Sequence, residues 1–174
     1  AMGILAGDAL LTHAFCLIAT KTQDKTIVAP LVQTLGWAAG IGGVVSGQVA
    51  DVLAEREKQN PTPELVEFIH LHKTAALIRA ACQCGAIAAK ASPQQQELIG
   101  QYGEKIGLAF QIVDDILDIT GQKEKLGKTI GKDEAQGKIT YPRVYRLEQA
   151  KSQARNLIAQ AVKTLVVVHD GTPG

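Results

Sequence analysis

The chain is 174 residues long, a length that the ordinary domain size of about 150 residues reads as one domain. Hydrophobic residues make up 46% and charged residues 20% of it, which excludes collagen-like and disordered classes. Aromatic residues are only 4%, so the core has to come from Ala, Leu, Ile and Val, a composition that suits close helix packing better than a β-sandwich. Lys plus Arg is 18 against 17 for Asp plus Glu, a net charge of +1. With no zinc knuckle and no interleaving of basic and aromatic residues, nothing points to nucleic acid.

In chain order, the punctuation predicts helices almost throughout. A first helix covers residues 7–21, with Leu10, Leu11, Ala14, Leu17 and Ile18 on one stripe. The apolar N-terminal stretch lacks a basic region and is interrupted by Asp8, so it does not read as a secretory signal. Residues 26–58 hold a second and a third helix, broken near Gly40, Gly42 and Gly43. The uncharged part, residues 26–50, is long enough to cross a bilayer. It nevertheless carries Gln33, Thr34, Ser46, Gln48, Pro30 and five glycines, and with no second candidate it reads as a buried bundle helix and not a membrane span. Asn60-Pro61-Thr62-Pro63 stops one helix and starts the next, with Thr62 as cap and Pro63 in the first turn. That helix covers residues 64–90. Ser92 and Gln95 have capping-box spacing and open another, which runs to about Thr120. A loop rich in Gly and Lys fills residues 121–137, and a last helix covers 142–168. The fold class is all-α, a helix bundle. Cys16, Cys82 and Cys84 complete no zinc site; they read as free, mostly buried thiols in a reducing, cytoplasmic setting.

The chemical anomaly is the run Ile106-Gly107-Leu108-Ala109-Phe110-Gln111-Ile112-Val113-Asp114-Asp115-Ile116-Leu117-Asp118-Ile119. Asp114 and Asp118 lie about 40° apart on a helical wheel, Gln111 falls about 20° beyond Asp118, and Asp115 is one step to the side. Like charges at this spacing repel, and burying an unpaired carboxylate is costly. The face is therefore either a solvated acidic stripe or the seat of a cation. The neighbours are Ile, Val, Leu and Phe, which favours the cation. All-oxygen ligands from spaced carboxylates suit Mg²⁺, which keeps several waters and shares phosphate oxygens.

The following segment, residues 121–138, carries five lysines and four glycines. Ammonium groups on a backbone with exposed N–H groups are what a polyphosphate needs, although a solvated surface loop has the same composition. It is not a Walker loop, because no GxxxxGK[ST] is present. His70, Lys73 and Thr74 share a helix face by i+3 and i+4 spacing, either as a surface detail or as a further cation and hydroxyl for the same phosphate. Gln48, Asp51 and Glu55 form another polar edge.

These segments resemble those of the trans-isoprenyl diphosphate synthases, which include the farnesyl and geranylgeranyl diphosphate synthases. Phe110-Gln111-Ile112-Val113-Asp114-Asp115-Ile116-Leu117-Asp118 is similar to the family's second aspartate-rich motif, His72-Lys73-Thr74 to its HKT element and Gly47-Gln48-Val49-Ala50-Asp51 to its GQxxD element. Gly127-Lys128-Thr129-Ile130-Gly131-Lys132-Asp133 resembles GKxxGKD, Lys138-Ile139-Thr140-Tyr141-Pro142 resembles KATYP, and Leu5-Ala6-Gly7-Asp8-Ala9-Leu10-Leu11 resembles LAGDALL. The resemblance runs almost continuously from Ile4 to about Leu165, and it implies an all-α prenyltransferase bundle that forms a homodimer. It further implies that Asp114, Asp115 and Asp118 bind Mg²⁺, with Asp133 acting through water. Lys73, Thr74, Gln111, Lys128 and Lys138 would hold an allylic diphosphate, and Gln48 and Asp51 would line the pocket. Asp114, Asp115 and Lys73 are then the catalytic group, in a condensation of isopentenyl diphosphate with an allylic diphosphate.

The family's first aspartate-rich motif, DDxxD with paired arginines, and the basic segment that holds isopentenyl diphosphate have no counterpart in this sequence. The resemblance therefore matches the C-terminal portion of such an enzyme, and the 174-residue chain is expected to show no turnover by itself. The other readings are a non-catalytic partner of an intact subunit and a class I terpene cyclase, the latter disfavoured by the lysine-rich segment.

Overall fold

Among the described residues, 1–125 and 139–170 of the computed structural model, every regular element is a helix and no strand occurs. Helix α1 spans Met2–Lys21, and the Asp24 carboxylate then accepts the Thr26 N–H at 3.0 Å to cap a single 3₁₀ turn, Lys25–Ile27. Helices α2 (Val28–Ala39) and α3 (Val44–Arg56) are separated by the glycine-rich turn read from the sequence. The Thr62 hydroxyl accepts the Leu65 N–H and Pro63 opens α4, Pro63–His70, so this helix start was fully legible. A π-helical turn, Leu71–Ala75, leads into α5, Ala76–Ala88. The Ser92 and Gln95 pair forms a reciprocal capping box, with N–H to side-chain distances of 2.9 and 3.3 Å, at the head of the long α6, Pro93–Lys125. Further along the chain come the short α7, Tyr141–Tyr145, and α8, Leu147–Asp170.

The core lies between α6 and α8, closed by α4 and the segment around α7. Ala109, Ile112 and Ile116 of α6 meet Ala150, Ala154 and Leu157 of α8, with Val66 and Ile69 of α4, Ile139 and Tyr141 filling in. Alanines at the contact let the two backbones approach, which is why a chain so poor in aromatics can pack densely.

Five expectations change. The first helix starts at Met2, because Gly3 and Gly7 weaken a helix without ending it. The α6 backbone continues through Gly121 to Lys125. The single C-terminal helix is broken at Arg146, which lies between α7 and α8 with a φ of 62°. Most consequentially, residues 26–50 are not buried within this chain. Only Leu31, Ala38, Gly43 and, further on, Gly47 and Ala54 are enclosed, while Trp37, Ile41, Val45 and Val49 face outward. The α1 helix buries no residue at all. By length and composition, α1 and the stretch Lys25–Arg56 are both apolar enough to cross a membrane, so the N-terminal helix is a second candidate that sequence reading overlooked. The thiols also differ from expectation: Cys16 is exposed, and Cys82 and Cys84 are half-buried, where burial pushes both thiols up.

Candidate functional site

The site is organised by the π turn. The Ala76 N–H bonds back to the Leu71 carbonyl, five residues earlier, and this wider winding changes the phase of the side chains. Two glycines on flanking helices clamp the turn. A Cβ on Gly47 of α3 would lie 2.2 Å from the Lys73 nitrogen, and one on Gly107 of α6 would lie 2.6 Å from the Ala75 Cα. No larger residue allows either approach. The glycine of the GQxxD-like element therefore has a packing role, and Asp51, one turn later, is brought onto Lys73.

The altered phase separates residues that a regular helix would have kept on one face. Lys73 Nζ turns to α3 and donates to Asp51 Oδ2 at 2.5 Å. Thr74 turns to α6, its hydroxyl donating to Gln111 Oε1 at 2.8 Å. Gln111 Nε2 in turn donates to Asp115 Oδ1 at 3.3 Å. His70 also faces α6, with Nε2 3.1 Å from Asp115 Oδ2. That same oxygen accepts the Tyr141 N–H at 2.8 Å. A continuous polar chain thus runs Thr74–Gln111–Asp115, with His70 and the Tyr141 amide at its inner end.

The three aspartates divide. Asp115 is buried at 6% exposure and accepts from Gln111 and from the Tyr141 amide with His70 Nε2 beside it, whereas Asp114 and Asp118 are exposed on the adjoining outward face of α6. Phe110, Val113 and Leu117 accompany them, at 60%, 39% and 59% exposure. The aliphatic neighbours that favoured a sealed cation site therefore lie on an outward face at i, i+3, i+4, i+7 and i+8 spacing, while Ala109, Ile112 and Ile116 point to the core. Gln48 is exposed on α3. Lys128, Asp133 and Lys138 lie outside the described residues.

Among the described residues, no three carboxylate, imidazole or thiol groups converge closely enough to hold a metal by themselves. The donor set still fits Mg²⁺. Two carboxylates one turn apart on an open helix face leave coordination positions for water and phosphate oxygen, which is how this ion is ordinarily bound. Asp114 and Asp118 are the residues that would hold it.

A cavity of about 440 Å³ lies elsewhere, between α2, the π turn, α5 and α6, lined by residues that include Trp37, Leu71, His72, Arg79 and Glu104. It contains none of the aspartates. Arg79 braces α5 to α6, donating to Glu104 at 3.0 Å and to both oxygens of Glu97 at 2.8 and 3.0 Å. Its burial opposes the charge, but the two carboxylates overcome that and hold the guanidinium more firmly protonated.

Sequence reading singled out Lys73, Thr74, Gln111, Asp51 and the aspartates, and the structure links Lys73 to Asp51 and Thr74 to Gln111 and Asp115. It placed His70 with Lys73, whereas His70 serves Asp115. The Tyr141 amide was missed, because a backbone donor 26 residues from its acceptor leaves no side-chain signal.

The fold and this acidic face define a helical bundle of the isoprenoid synthase type. The chain belongs to the polyprenyl synthetase family, whose profile matches residues 1–167. It is 41% identical over 167 residues to a geranylgeranyl diphosphate synthase of Cyanophora paradoxa, covering 95% of this chain and 55% of that protein. A geranyltransferase of Helicobacter pylori, solved in complex with magnesium and isoprenyl diphosphate, superposes with a TM-score of 0.77 at 32% identity, covering 97% of this chain and 55% of that one. An FPP/GFPP synthase of Zymomonas mobilis in its apo form gives 0.77 and 32%, with coverage of 94% and 54%. The chain spans about half the length of the relatives it matches.

Proposed function

We propose that this chain carries the allylic-diphosphate half of a prenyltransferase that condenses isopentenyl diphosphate with an allylic diphosphate to give a geranylgeranyl or farnesyl product. The observation that carries this reading is the junction of three elements. The π turn presents Thr74 to Gln111, one turn from Asp114 on α6, and Lys73 to Asp51 on α3. The geranyltransferase bound to magnesium and isoprenyl diphosphate shares this fold.

In the reaction, the allylic C1–O bond breaks and its electron pair leaves with diphosphate. The double bond of isopentenyl diphosphate attacks C1, and a proton is lost from the new cation to the released diphosphate. The work is stabilisation of separating charge, so no side-chain nucleophile is needed. Mg²⁺, when bound by Asp114 and Asp118, supplies neutralisation of the diphosphate oxygens. Lys73 supplies a positive charge whose direction Asp51 fixes. Thr74, with its hydroxyl hydrogen committed to Gln111, keeps an oxygen lone pair and holds Gln111 in place. Lys128, Lys138 and Asp133 complete the diphosphate cradle in this proposal.

The outward apolar residues of α1, α2 and α3 support a homodimer, since contiguous apolar faces are ordinarily covered by a partner. The test of the central reading is calorimetric binding of geranyl diphosphate with Mg²⁺ and with EDTA. Binding only with Mg²⁺, weakened in Lys73→Ala, is expected. Absence of binding, or binding indifferent to both changes, refutes the reading. No turnover of labelled isopentenyl diphosphate by the 174-residue chain alone is expected.

A further inference from the structure

Asp115 differs from its two acidic neighbours. It is turned into the protein, and its partners come from three separate parts of the chain: Gln111 on its own helix, His70 at the end of α4, and the backbone of Tyr141. The His70 ring is 3% exposed. Its Nδ1 is buried without a partner, so in the neutral ring the hydrogen belongs on Nε2, facing Asp115. The ring also stacks on Tyr141, with centroids 5.9 Å apart and planes 20° from parallel, and Tyr141 stacks on Tyr145 at 4.4 Å. The segment held in this way has Ile139 and Tyr141 buried in the core.

We infer that His70 is a positioning residue. By donating from Nε2 to Asp115, it holds this carboxylate on the Tyr141 amide, and so fixes the start of α7, immediately after the lysine-bearing segment, against the helix that carries Asp114 and Asp118. Asp115 then acts as a latch rather than as a metal ligand. Two donors converging on one oxygen orient a buried carboxylate much more tightly than one does. The inference rests on the proposed diphosphate site only for its consequence, since the latch itself is a matter of geometry.

Two substitutions separate the hydrogen bond from the ring. His70→Phe keeps the aromatic ring and its stack on Tyr141 but removes the donor; His70→Gln keeps a donor and removes the ring. The readouts are hydrogen exchange at the Tyr141 amide, with the Ala80 amide of α5 as the reference for general loosening, and calorimetric binding of magnesium pyrophosphate. For His70→Phe, Tyr141 protection should fall about tenfold or more relative to Ala80, the scale set by one charge-assisted hydrogen bond, with pyrophosphate binding weakened in step. His70→Gln should retain most of both. If the Phe variant does not fold, the Gln variant decides alone, retained protection supporting the latch and lost protection overturning it. Protection kept in Phe, or lost equally in both, overturns the inference. Asp114→Asn distinguishes the two levels, because it should abolish pyrophosphate binding while leaving Tyr141 protected. If the wild type fails to bind magnesium pyrophosphate at all, the diphosphate reading fails, and the Tyr141 protection still decides the latch.

Discussion

Arg146 adopts φ 62° and ψ 155°, a region that only glycine enters without strain. Lys58 and Lys90 also have positive φ, but they close α3 and α5 as ordinary helix C-caps. Arg146 instead makes the sharp corner that lets α8 fold back along α6 after Tyr141 has been pinned. Arg146→Gly should therefore stabilise the protein by about 1 kcal/mol, the relieved strain exceeding the added freedom of the unfolded chain. A higher urea midpoint with an unchanged slope would show it. Gly47 makes the opposite case. Gly47→Ala places a methyl 2.2 Å from the Lys73 nitrogen, so α3 must move off the π turn. A loss of about 2–3 kcal/mol is expected, with weakened magnesium pyrophosphate binding because Asp51 moves with α3.

At the scale of the element, helix starts were legible and the π turn was not. Thr62 with Pro63, and Ser92 with Gln95, are local chemistry that a sequence displays directly. The π turn at Leu71–Ala75 packs against the glycines at 47 and 107, which are distant in sequence, so regular helical spacing put His70, Lys73 and Thr74 on one face when they serve two. The same limit applies to α6, where the apolar neighbours of the aspartates favoured a cation site although Phe110, Val113 and Leu117 share the outer face with Asp114 and Asp118. The brace from α5 to α6 yields a pH prediction. Arg79 holds the Glu97 carboxyl below its ordinary value, burial opposing it and Gln101 assisting. A lowered folded-state value means that stabilisation is present above the ordinary carboxylate range and disappears as pH falls through the folded value. Because Glu97 is half exposed, the contribution is about 0.5–1 kcal/mol. Wild type should exceed Glu97→Gln by that amount near neutral pH, and the difference should vanish in strong acid, as followed by urea denaturation across the range.

At the scale of the whole molecule, an Ala- and Ile-lined core between α6 and α8 coexists with outward apolar residues at Met2, Ile4, Leu10, Trp37 and Ile41. Composition and periodicity identified the all-helical bundle, but periodicity cannot tell a helix buried by its own chain from one that a second chain must cover. Sedimentation should show a dimer that Leu10→Glu shifts toward monomer, whereas an unchanged monomer in both proteins would remove the homodimer. The central claim is that the outward aspartates of α6 bind a diphosphate through magnesium. Calorimetric titration of wild type and Asp114→Ala with magnesium pyrophosphate tests it most directly. Saturable heat in the wild type and none in the variant is the predicted result; equal heats in the two proteins would contradict it.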